Sequence, residues 1–196
     1  MRVYFAAFLV AAIIVAAGAP AARAMDGDVS ADLPESAAPP KARTVADRED
    51  AAAQYHIGLM YERGQGAPQD YEEARRWYLK AAAHDDPFAE FSLGVLSAHG
   101  YGAPQDFVEA EGWFRRAAER GLAAAEFNLG VMYEHSLGAP QDYVLAHMWL
   151  SLAAAQGEQG ARAAVEEAAA RMSSAEIAVA ERLARDWKPS NWSLRF

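Results

Sequence analysis

Cysteine is missing from all 196 residues. That absence excludes disulfides, thiolate nucleophiles, iron–sulfur clusters and cysteine-ligated zinc. Positive charge is scarce as well: 18 Lys and Arg stand against 27 Asp and Glu, for a formal net charge of −9. A chain this acidic is not a general nucleic-acid binder. Catalytic signatures are also missing, with no GxSxG, no HExxH and no phosphate-cradling glycine loop. The Gly-rich turns that do occur lead into Pro and Asp rather than Lys. Glu134 beside His135 reads as a solvated helix face, and His84 with Asp85 and Asp86 as a helix-end dipole interaction. No catalytic residue, cofactor or metal is predicted. What is present is 53% hydrophobic residues, in a chain of one-domain length that can bury a core.

The first 24 residues contain no acid and two of the arginines, so the remainder carries 16 basic against 27 acidic residues, a charge of −11. Arg2, an apolar run from Val3 to Ala17, a Gly18/Pro20 break and Ala22-Arg23-Ala24 read as a secretory signal peptide cut after Ala24. The chain is therefore expected to be periplasmic or secreted, in the style of a bacterial envelope protein, with no membrane contact after cleavage. The competing reading is a retained anchor, because the apolar run approaches the minimum span of roughly 17 residues. Residues 25–46 hold Pro34, Pro39 and Pro40 and few large apolar side chains. They are predicted to be a flexible tether, since they cannot bury enough surface to offset the entropy of ordering.

Self-similarity organises the rest. Gly58, Gly94 and Gly130 are 36 residues apart, and so are Trp77, Trp113 and Trp149. The turn GAPQD recurs unchanged at 66–70, 102–106 and 138–142. Aligning copies 51–86, 87–122 and 123–158 leaves eleven identical positions, those of Ala53, Gly58, Gly66 through Asp70, Ala74, Trp77, Ala81 and Ala82. A period of this length marks a solenoid of supersecondary units.

Each copy predicts two helices. Ala53, Ile57 and Tyr61 form an i, i+4, i+8 stripe, matched by Ala89 and Leu93 and by Ala125, Leu129 and Tyr133. Gly58 inside the first helix costs about 1 kcal/mol relative to Ala, so close approach of the partner helix is expected there. Gly64 supplies a left-handed terminus, and Pro68 prevents the helix from resuming. Asp70 caps the second helix, with Glu73 expected to complete a capping box; Asp106 and Glu109 repeat the pair, and the third copy has Asp142 but Leu145. Ala74, Trp77 and Ala81 share one face, with the Trp expected in the core. Beyond Gly160 a fourth first-type helix is expected over 161–172. A last helix follows over 174–187, capped by Ser173 with Glu176, with Ile177, Ala180, Ala184 and Trp187 on one face. Residues 189–196 form a tail.

LG or IG in the first helix, GxGAPQD in the turn, AxxW in the second helix and the phrase MWLSLAAAQG at 148–157 together resemble the Sel1-like repeat, a relative of the tetratricopeptide repeat. Ser136 departs from the turn Gly and should strain that turn; Ser97 departs from the first-helix Tyr. The resemblance implies an all-α, right-handed αα-hairpin solenoid over residues 47–188, with three repeats and a C-terminal capping helix pair. It also implies a protein- or peptide-binding adaptor or regulator rather than an enzyme. The cysteine-rich members associated with β-lactam binding are not matched in any cysteine. A periplasmic hydrolase of β-lactam or cell-wall substrates, and a membrane-tethered scaffold, are the alternatives.

In a tetratricopeptide-like solenoid the first helices line the concave groove. At about 100° per residue, the side away from the core stripe carries Ala52, His56, Leu59 and Arg63; then Phe88, Ser92, Val95 and His99; then Ala124, Asn128, Val131 and His135. These twelve include no acid, one Arg and three His. The groove is therefore expected to take a protein or peptide, an acidic segment among the candidates, and more tightly as histidines protonate below about pH 6.5. His99 and His135 are not predicted to bind metal, because stacked helices hold them about 10 Å apart with no third ligand.

Overall fold

The computed structural model describes residues 51–189. The leader 1–24, the tether 25–46, residues 47–50 and the tail residues 190–196 lie outside the described residues. Eight α-helices follow one another within them: α1 (Ala51–Arg63), α2 (Tyr71–Ala82), α3 (Pro87–His99), α4 (Phe107–Glu119), α5 (Ala123–His135), α6 (Tyr143–Ala155), α7 (Ala161–Ala169) and α8 (Ser174–Asp186). The first six pack as hairpins α1–α2, α3–α4 and α5–α6, joined by α2–α3 and α4–α5 contacts between repeats. This is the expected all-α solenoid.

What lets each hairpin close is the glycine inside its first helix. A Cβ on Gly94 would meet the Phe114 ring at 2.7 Å, and one on Gly130 would meet Leu150 Cγ at 2.5 Å. Gly58 faces Tyr78 in the same way. The wedge is thus the residue after the repeated Trp: Tyr78, Phe114 and Leu150 are all fully buried, while Trp77 and Trp149 keep 6% exposure. Trp113 corrects the sequence expectation. It is half-buried, with Arg116 over its ring at 4.9 Å.

The turn is held from within and from the neighbouring repeat. Gly64, Gly100 and Ser136 end the first helices in left-handed conformation, at φ 66°, 71° and 57°. Ser136 occupies a region that costs a side-chain-bearing residue about 1–2 kcal/mol, and its hydroxyl donates to the Ala139 carbonyl at 3.2 Å. Gln69, Gln105 and Gln141 each donate Nε2 to a helix-end carbonyl, of Glu62, Ala98 and Glu134, at 2.7 Å. These carbonyls would otherwise be orphaned at a helix C-terminus, which gives the unchanged Gln of the turn a purpose. A Cβ at Gly102 would lie 2.5 Å from the Tyr71 carbonyl oxygen, and one at Gly138 would lie closer still to that of Phe107. Each later turn therefore rests on the start of the preceding repeat's second helix.

Asp70, Asp106 and Asp142 accept from the backbone N–H groups two and three residues on, at 2.9–3.0 Å. The expected capping boxes at Glu73 and Glu109 do not form. Glu73 pairs with Arg76 instead, and Glu109 reaches Arg75 of the preceding repeat at 2.5 Å and Ser97 at 2.9 Å. Where a cation lies within reach, an ion pair displaces the weaker bond back to the cap. Asp86, read from sequence as part of a helix end, caps α3 by accepting from Ala89 N–H at 2.8 Å. The Ser173/Glu176 box is present.

At the C-terminal end, α7 stops at Ala169, and both α7 and α8 pack on α6. Ala180 is fully buried there, and the Trp187 ring meets Trp149 edge-on at 4.8 Å.

Candidate functional site

The predicted groove rows fare differently along the solenoid. On α1, His56 and Arg63 are exposed, and His56 Nδ1 donates to the Ala52 carbonyl at 2.7 Å. On α3, Phe88, Ser92, Val95 and His99 are half-buried. On α5 only His135 is exposed; Val131 retains 4% and Asn128 none. Leu59, at 9%, is also turned inward. Leu59, Asn128 and Val131 are therefore withdrawn from the groove. The cause for the α5 pair is position: α4, α6 and α7 all contact α5, and every residue from Ala124 to Tyr133 is buried.

The half-open α3 row joins the first repeat. The Phe88 ring lies 6.0 Å from that of Tyr55, which in turn meets the His56 ring at 5.7 Å. The Ser92 hydroxyl lies within reach of the Tyr55 and Tyr78 hydroxyls, and Tyr78 donates to Glu62 at 2.5 Å. His99 stacks on Tyr101 at 5.3 Å, and Tyr101 stacks on Tyr71 at 4.6 Å, so three rings run from one repeat's first helix to the previous repeat's second. Burial holds the His99 imidazole below its ordinary pKa, and its Nε2 is shielded without a hydrogen-bond partner. His99 is accordingly a neutral ring at pH 7 rather than a cation.

The strip's surroundings are not free of acid either. The Asp86 carboxylate is close enough to His56 for their charges to interact, and Glu134 to His135. What remains open is a short face of His56, Arg63, Phe88, Ser92, Val95 and His99, with His135 further along.

Two buried carboxyls were not anticipated. Glu90 and Glu126 occupy the same register, 36 residues apart, with 0% and 1% exposure. Glu90 takes Arg116 Nε and Arg120 Nε at 2.9 Å each, and Arg120 also binds Asp85. Burial raises the Glu90 pKa against the pull of the two arginines. Glu126 has Gln156 Nε2 at 2.8 Å in place of a cation, and burial pushes its pKa up to about 7. The signal in sequence was an acid recurring at the repeat period opposite Arg116 and Arg120. Among the described residues no group of three or more His, Asp or Glu could hold a metal ion.

A family model described as Sel1 repeat matches residues 51–86, 87–122 and 123–158. Among solved structures, a protective antigen of uropathogenic Escherichia coli displaying an SLR fold is similar at 32% identity and a TM-score of 0.68, over 74% of this chain and 31% of that one. A Sel1 repeat protein from Oxalobacter formigenes is similar at 35% identity and a TM-score of 0.61, over 65% of this chain and 96% of that one. The chain thus spans less than a third of the antigen's length. No curated protein matches it.

Proposed function

The chain belongs to the Sel1 repeat family, and from that membership we propose that it is an exported binding scaffold, an adaptor or regulator in the bacterial envelope. Sel1 repeats are generally protein-interaction modules without catalysis of their own. The observation that carries the reading is the half-open Phe88–Val95 face on α3, flanked by the exposed His56 and Arg63 of α1. Such a face suits an extended protein or peptide segment that presents an apolar side chain to Phe88 and Val95 and a carboxylate to Arg63. The signal-peptide pattern of residues 1–24 supports export, and cleavage after Ala24 would release the scaffold from the membrane.

Peptide display against the purified protein tests the binding face. Selected peptides should combine an aromatic or aliphatic residue with Asp or Glu, and should bind the Arg63→Glu variant at least tenfold more weakly. Selected peptides that bind wild type and Arg63→Glu alike would place the partner surface elsewhere.

A further inference from the structure

The first-turn carboxyls of α3 and α5 are equivalent by the 36-residue repeat and equally buried, yet they are answered differently. Glu90 meets two guanidinium groups from the end of α4. The positions equivalent to Arg116 and Arg120 on α6 are Leu152 and Gln156, so Glu126 has an amide and no positive charge. We propose that the third repeat carries a proton-operated latch, in which the Glu126 carboxyl takes up a proton and, once neutral, binds Gln156 as donor as well as acceptor, fixing the start of α5 to the end of α6.

The chemistry follows from the surroundings. An ionised carboxylate at 1% exposure has lost its water and has one amide N–H in return, which is a poor exchange. A neutral carboxyl loses far less on burial. Its O–H can also donate to Gln156 Oε1 while its carbonyl oxygen keeps the Nε2–H, so both groups form two bonds instead of one.

Charged groups on the elements packed against α5 are either paired elsewhere or turned to solvent, as exposed Glu119 of α4 is. On α4, Arg116 and Arg120 hold Glu90 and Asp85, and Arg115 binds Glu111 and the Tyr133 hydroxyl. On α6, His147 accompanies Ser151 and feels Glu181 of α8. Near α7, Glu167 and Arg171 act on Glu134 at the far end of α5, while Arg162 and Glu166 are exposed. Burial, with only the Gln156 bond opposing it, places the Glu126 midpoint at about 7. Glu126 ionised in the folded protein is therefore the strained state. The stabilisation is fully present below the unfolded value near 4.5 and is lost as pH rises through about 7.

The test is a carbon-detected NMR titration of side-chain carboxyls in the full chain, with the Glu126 signal assigned by its loss in Glu126→Gln. A midpoint near 7 supports the latch, and one below about 5.5 overturns it. Gln156→Arg restores one of the two cations found around Glu90 and should lower the midpoint by about one unit or more, a tenfold change in proton affinity. An unmoved midpoint would mean that the missing cation is not the cause. Melting temperatures supply the third readout: the advantage of wild type over Glu126→Gln should shrink from pH 5 to pH 8. A constant difference overturns the proposal. If Glu126→Gln fails to fold, the same comparison is made between wild type and Gln156→Arg, whose advantage should instead grow with pH.

Discussion

The ring of Tyr78 fills the space that a side chain at Gly58 would need: a Cβ built there would lie 2.5 Å from Tyr78 Cδ1. Phe114 stands in the same relation to Gly94, and Leu150 to Gly130. One steric rule thus sets the spacing of the two helices in all three hairpins. Ala is the better helix former by about 1 kcal/mol, so the glycine is retained for space.

Gly94→Ala tests that rule. Forcing a methyl against the Phe114 ring should cost about 1–3 kcal/mol, more than the helix-propensity gain. Adding Phe114→Leu should return part of the loss, because the shorter side chain frees the space beside residue 94. Denaturant melts of the two single variants and the double give the coupling; strictly additive effects would mean that the two residues do not compete for the same volume.

The three tryptophans should rank by burial. Trp149, 6% exposed and edge-on to Trp187, should cost about 3–5 kcal/mol on replacement by Ala. Half-buried Trp113 should cost about 1–2 kcal/mol, in keeping with the area it removes from water. Equal shifts in midpoint would contradict the difference in packing.

Removing both guanidinium groups from Glu90 should strand a buried carboxylate. Arg116→Ala with Arg120→Ala is expected to lose about 3–5 kcal/mol at pH 7. The loss should shrink toward pH 4.5, because the folded pKa of Glu90, already raised by burial, rises further without its partners, and protonation below it relieves the penalty. Urea melts at both pH values read this directly, and a pH-independent loss would mean the arginines act by packing alone.

On the binding face, His99 should contribute little. Its imidazole is half-buried, stacked on Tyr101 and disfavoured as a cation by burial, so His99→Gln should leave the affinity for a selected acidic peptide within about twofold. Arg63→Glu, at an exposed position, should weaken the same peptide by about tenfold or more. Isothermal titration at neutral pH ranks the two variants, and a larger loss for His99→Gln would return His99 to the ligand.

Export should leave a protein beginning at Met25. Intact-mass measurement of the exported form checks the cut after Ala24, and a full-length chain in the membrane fraction would favour the anchored reading.

The repeat boundaries, the hairpin in each copy, the Asp caps, the left-handed helix end at Gly64 and the close approach at Gly58 were all legible in the sequence. All of these arise from the 3.6-residue helical period, from bonds spanning a few residues, or from an identical pattern stated three times over. Tertiary structure alone decided which outward-facing positions stay open. Asn128 and Val131 have the same register as half-open Ser92 and Val95, yet α5 is enclosed by α4, α6 and α7, and register along one helix does not say how many neighbours surround it. It also decided that Trp113 would be half-covered while Phe114 fills the core, and that Glu109 would leave its own helix cap for Arg75 of the preceding repeat. The divergent fates of Glu90 and Glu126 were settled there too, because the pKa of a carboxyl depends on the water it loses and the charges it meets, and both are supplied by residues 26 to 30 positions away.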